Sequence, residues 1–193
     1  MSDAKKQPVV CFETQNDWDK WLAKNHPESN GVWLKIAKKG KGVTSVNYAE
    51  ALDVAICYGW IDGQKQKFDD QFFLQKFTPR RPRSLWSKIN REKVENLIAA
   101  GKMKPAGMAE VDAAKSDGRW DAAYDSPGNM TVPEELQAAL DANPTANAFF
   151  ETLNKTNRYS FCFRVQTARN PEIRKTRIEK LIAMLENGEK FHS

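Results

Sequence analysis

Three arginines, Arg80, Arg81 and Arg83, are interleaved with Pro79 and Pro82 and followed at once by Ser84. Guanidinium groups present a planar fork of donors that matches carboxylate and phosphate. Flanking prolines restrict the backbone and so preset where such groups point. The spacing predicts a helix capped by Ser84 and running to residue 100, stopped by Gly101. A helix start exposes free N–H groups and a partial positive charge, so arginines beside it form a candidate site for a small anionic ligand. Trp60, Asp62, Trp86, Ser87 and Asn90 lie within the same stretch and complete the candidate set. Asp62 stands between apolar residues and Gly63; it either caps a turn or meets the arginines across the strands. Asn90 falls among Trp86, Val94 and Leu97 on a helical wheel, where its amide needs a partner, either loop backbone or ligand.

Competing chemistries are sparse. The two histidines, His26 and His192, have no ligand-type neighbours at useful spacing for a metal site or a nucleophilic triad. Glycine-rich phosphate loops are absent, and no cofactor is expected. Cys11, Cys57 and Cys162 form no CxxC pair and read as reduced thiols. Cys57 is read chiefly as apolar filler near a helix end. No catalytic residue is assigned. The alternative is an enzyme using the same pocket, with Asp62 as acid or base. A further alternative is a binder of single-stranded nucleic acid, because Phe72, Phe73, Phe77 and Trp86 lie beside the basic run.

The elements that must position these residues follow from periodicity and caps. Thr14 with Asp17, and Asn47 with Glu50, open the first two helices. Residues 31–37 alternate as a strand, with Val32, Leu34 and Ile36 on one side. Residues 60–67 and 71–78 make a hairpin joined at Phe68-Asp69-Asp70. Phe73 and Phe77 take one face of its second strand, Phe72 and Leu74 the other. That aromatic face is expected under helices 47–58 and 84–100. Pro105 opens a helix to about residue 116. Ser126-Pro127-Gly128-Asn129 reads as a turn or linker. Helices over 133–142, 144–153, 157–168 and 171–186 follow, with Asn143 and Asn170 as caps. The fold class is α+β: a small antiparallel sheet packed with helices over residues 10–125, then an all-helical C-terminal module over 133–187.

The 193 residues carry a net charge of +5. That total hides a split. Residues 75–104 hold nine basic and two acidic side chains, residues 105–143 two and eight, and residues 144–193 nine and five. The acidic segment is the internal competitor for the arginines. No apolar run is long enough for a membrane helix, and the polar start, Met1-Ser2-Asp3-Ala4-Lys5-Lys6, lacks the apolar block of a secretory signal, so a cytoplasmic location is expected.

Two groups of residues carry a family resemblance. Gly59-Trp60-Ile61-Asp62-Gly63, Phe77-Thr78-Pro79-Arg80-Arg81 and Ser84-x-Trp86-Ser87-x-x-Asn90 resemble the bacterial YdeI/OmpD-associated proteins. Pro133-Glu134-Glu135-Leu136, Ala148-Phe149-Phe150 and Thr176-Arg177-x-x-Lys180 resemble that family's C-terminal module. The resemblance implies a bacteriocin-protection protein, linked to resistance to cationic antimicrobial peptides. It supplies no catalytic residues.

Overall fold

Alternation of buried and half-buried side chains along Val32–Ala37 makes this segment the central seam of a sheet that is apolar on one face. A computed structural model describes residues 7–193. Their contacts resolve into two units. One comprises the chain up to Ser84 together with Glu92–Trp120. The other comprises Leu85–Arg91 together with Asp121–Ser193.

The N-terminal unit contains β1 (Val9–Cys11), α1 (Gln15–Asn25), β2 (Val32–Ala37), α2 (Tyr48–Cys57), β3 (Trp60–Lys67) and β4 (Phe72–Pro79). The sheet order is β1-β2-β4-β3. β2, β4 and β3 form the expected antiparallel sheet, and β1 adds to its edge in parallel. Three residues are too few to show a period, so β1 left no readable pattern. Val32 opposes Phe77, Leu34 opposes Gln75 and Ile36 opposes Phe73, which puts these six on one face.

α1 and α2 supply the helical layer. Thr14 Oγ1 accepts from the Asp17 amide at 3.2 Å and opens α1. Asn47 and Glu50 bond reciprocally at 3.0 Å and open α2. Trp18 is fully buried, and its indole N–H donates to the Ala51 carbonyl at 3.0 Å, pinning α1 to α2. Its ring lies 5.7 Å from Phe77 and 5.3 Å from Trp21. Burying an aromatic side chain of this size contributes about 4–6 kcal/mol of transfer free energy.

Two further helices are α3 (Lys88–Ala99) and α4 (Pro105–Ser116). Sequence spacing put the start of α3 at Ser84; the helix begins four residues later. Ser87 is the cap, its Oγ accepting from the Asn90 amide at 3.2 Å. Two local structures delay the start. The Ser84 amide closes a turn onto the Arg81 carbonyl at 3.0 Å. Trp86 and Ser87 then run extended in a short parallel bridge to Tyr124. Lys93 Nζ reaches Asp53 at 2.6 Å and ties α3 to α2. α4 approaches α2 so closely that a methyl group on Gly107 would collide with the Cys57 carbonyl.

The C-terminal unit contains α5 (Glu134–Asp141), α6 (Pro144–Thr152), α7 (Lys155–Gln166) and α8 (Pro171–Glu186). The Asn143, Asn154 and Asn170 side chains cap α6, α7 and α8. Leu136, Leu140, Phe150, Phe161, Leu181 and Leu185 form its core. The turn at Ser126 closes with the Asn129 amide on the Ser126 carbonyl at 3.0 Å. Among the described residues no helix is long and apolar enough to cross a membrane.

Candidate functional site

In the N-terminal unit the arginines divide by role. The Arg80 amide donates to the Gly59 carbonyl at 2.9 Å, extending the β3–β4 pairing by one step. Its side chain is buried, and Nη1 donates to Ser84 Oγ at 3.5 Å across the turn. Arg80 thus braces the loop from beneath. Arg81 and Arg83 are exposed. Pro82 occupies the second position of the turn over residues 81–84, and Arg83 the third with φ of 64°. A proline followed by a left-handed residue is the form of a type II turn. Glycine or asparagine is usual at that third position, because a larger side chain there crowds its own backbone by about 1–2 kcal/mol.

The acidic segment does not take up Arg81. Arg81 forms no hydrogen bond or ion pair through its side chain among the described residues. Asp117 is held by Arg119, whose Nε donates to its two oxygens at 2.9 and 2.7 Å. That hydrogen bond leads in lowering the Asp117 carboxyl below its ordinary value; the charge of Arg83 adds a smaller contribution. Arg119 Nη1 also donates to the Ser84 carbonyl at 2.9 Å and so fixes the far end of the turn. Sequence reading missed Arg119, because its partner is 35 positions away. Asp125 pairs with Lys88 at 2.8 Å and Glu135 with Arg174 at 2.8 Å.

Among the described residues Asp62 meets neither an arginine nor a turn amide. Its Oδ2 accepts from Tyr48 Oη at 2.8 Å, at the first residue of α2. Burial, then the Asp62 hydrogen bond and charge, push the Tyr48 hydroxyl well above its ordinary value, so it remains a neutral donor. Asp62 lies opposite Phe77, on the helix-covered face of the sheet. Trp60 is buried on the same face and meets Trp21 edge-on at 6.1 Å, which makes it part of the core. Gln75 is buried there too. Its Nε2 donates to the Gly63 carbonyl at 2.9 Å, where the β3–β4 register shifts.

Trp86, Ser87 and Asn90 belong to the C-terminal unit. Trp86 is buried, Ser87 caps α3, and Asn90 is half-buried with its backbone N–H donating to that cap. The aromatics flagged for base stacking are largely covered. Phe77 is fully buried, Phe72 carries Lys35 Nζ at 4.4 Å from its ring centre, and Phe73 carries Lys65 Nζ at 4.2 Å.

Residues 10–110 match a family described as a domain of unknown function, DUF8412. Residues 129–188 match the family described as bacteriocin-protection, YdeI or OmpD-associated. The chain belongs to the DUF8412 family. No curated protein and no solved structure gives a significant match. The DUF8412 region takes in the sheet and the arginine turn; the YdeI/OmpD-associated region spans α5 to α8.

Both regions hold a buried thiol. Burial pushes Cys57 and Cys162 up to about 11, so both are inert thiols near neutral pH. His26 caps the end of α1, its ring nitrogen 2.9 Å from the Leu22 carbonyl. His192 Nε2 lies 2.9 Å from Ser160 Oγ. Among the described residues no cluster of His, Cys, Asp and Glu is arranged to hold a metal ion.

Proposed function

We propose that the protein is a cytoplasmic binding protein of the bacteriocin-protection class that takes a small anion on the turn formed by Arg81 and Arg83. The observation that carries this reading is Arg83 at φ of 64°, a long cationic side chain where the backbone favours glycine. Arg81 and Arg83 stand two residues apart on a turn whose end, Ser84, is contacted by Arg80 and by Arg119. Among the described residues Arg81 has no counter-ion to displace, and Asp117 is already held by Arg119. The protective role rests on the description of the family that residues 129–188 match, and the cytoplasmic setting on three free thiols, which suit a reducing compartment.

Calorimetric titration with inorganic pyrophosphate tests the site. The parent chain binds, and Arg81→Ala/Arg83→Ala weakens binding by about tenfold or more, the size expected for losing charge-assisted hydrogen bonds. Equal affinity in the two proteins removes the turn from the reading. A random oligonucleotide is the contrast. Binding to it with a steep salt dependence would redirect the assignment to nucleic acid. Protection is read separately, as survival of a bacteriocin-sensitive strain with and without the protein.

A further inference from the structure

The C-terminal unit contains a cavity of about 480 Å³ between α7, α8 and the chain end. That size lies within the range of about 300–1,000 Å³ usual for small-molecule sites. Phe163, Leu181, Met184 and Phe191 give it an apolar wall, and Arg164, Arg177 and Lys180 line the same space. The chain end is fastened in place. Asn157 is buried, and its Oδ1 accepts from the Phe191 and His192 amides at 3.1 and 3.0 Å. Its Nδ2 donates to the His192 carbonyl at 3.1 Å. Phe191 is thereby held 3.5 Å from the Arg164 guanidinium, which lies over its ring.

The cations are positioned by backbone oxygens rather than by carboxylates. Arg164 Nη1 donates to the Ser160 carbonyl at 2.8 Å. Arg177 Nη1 donates to the Arg164 carbonyl at 2.7 Å and to Thr167 Oγ1 at 3.4 Å. None of the three forms an ion pair among the described residues. Burial, and secondarily the charge of Arg177, lower the Arg164 pKa. Three like charges around one open cleft are stabilised by a bound anion. The apolar wall would gain nothing from a bare inorganic ion.

We propose that this cavity binds a small amphiphilic organic anion, its apolar body against Phe163, Leu181 and Met184 and its carboxylate, sulfonate or phosphate group among Arg164, Arg177 and Lys180. The site uses none of the residues of the arginine turn, so the two proposals stand or fall separately.

Anilinonaphthalene sulfonate, an aromatic sulfonate whose fluorescence rises in apolar sites, is the probe, titrated into the full chain. The expected result is one dye per chain, displaced by decanoate and not by equal concentrations of inorganic phosphate. Lys180 is exposed and without a hydrogen-bond partner among the described residues, so Lys180→Glu spares the fold. It should weaken the dye by roughly fivefold or more through charge reversal. Met184→Trp, which fills the cavity, should abolish binding, and Arg81→Ala/Arg83→Ala should leave it unchanged. The proposal is overturned if the uncharged phenylnaphthylamine binds as tightly as the sulfonate. It is equally overturned if phosphate displaces the dye, if both cavity variants bind like the parent, or if the turn variant loses the dye.

Discussion

In the N-terminal unit Arg81 and Arg83 stand on one turn of four residues, whereas in the C-terminal unit Arg164 and Arg177 come from two helices and sit 13 positions apart in sequence. The first pair is placed by local backbone chemistry: Pro82 sets one dihedral, and the hydrogen bond from Ser84 to Arg81 sets the rest. The second pair is placed by packing. α7 and α8 must dock, and the chain end must be clamped by Asn157, before the two guanidinium groups share a cavity. The surroundings differ as well. The turn faces water, where charge is screened and a small inorganic anion suffices. The cavity has an apolar wall and calls for an organic one. A cationic site made by a turn is expected to survive changes in the helical core that dissolve one made by helix packing.

That contrast can be broken most severely at Leu185, which is fully buried in the helical core. Leu185→Ala should lose about 2–5 kcal/mol in urea denaturation, as large-to-small core changes do. It should also weaken the sulfonate dye while leaving pyrophosphate affinity intact. Loss of both ligands would show that the turn depends on the helical unit. Next in size is Gly107→Ala, whose methyl group meets the Cys57 carbonyl. It should cost about 1–3 kcal/mol by overpacking, measured as a drop in Tm, and the pyrophosphate site should persist.

Arg83→Gly sharpens the comparison from the other side. Removing the side chain relieves the left-handed strain, so stability should rise by about 1 kcal/mol in denaturant titration while pyrophosphate affinity falls. A variant that loses stability would mean that the Arg83 side chain is held for packing. No such opposition of stability and binding is expected at Lys180.

A dependence on alkaline pH is common to both units. Cys57 and Cys162 have folded values of about 11 against an ordinary 9.0. Between these limits the unfolded chain releases thiol protons that the folded chain keeps. Their contribution to stability is therefore complete below about pH 9 and is lost as pH rises through about 11. The raised Tyr48 and Tyr58 hydroxyls act in the same direction at still higher pH. Denaturation midpoints from pH 8 to 11 should fall, and Cys57→Ala/Cys162→Ala should flatten the decline.

Much of the fold was legible because it is written at short range. Thr14 with Asp17, Asn47 with Glu50, and the asparagines before Pro144 and Pro171 each act within one helical turn. The alternation of Val32, Leu34 and Ile36, and of Phe73 and Phe77, assigned the faces of the sheet before any pairing was known. Ser84 misled because a serine before a helix-period stretch is equally consistent with a cap one turn later. Ser87 takes that role once the bridge to Tyr124 keeps the chain extended.

For function, the sequence by itself determined the resemblance of the C-terminal helices to the YdeI/OmpD-associated family and the caps of α1, α2, α6 and α8, since these depend on residue type and spacing within a few positions. Only the tertiary structure decided which charges meet. It gave Asp62 to Tyr48, the Ser84 carbonyl to Arg119, and Asp53 to Lys93. It also left Arg164, Arg177 and Lys180 around a shared cavity without a carboxylate among the described residues. An ion pair needs two side chains within about 4 Å, and residues tens of positions apart reach that distance only after the elements between them have packed.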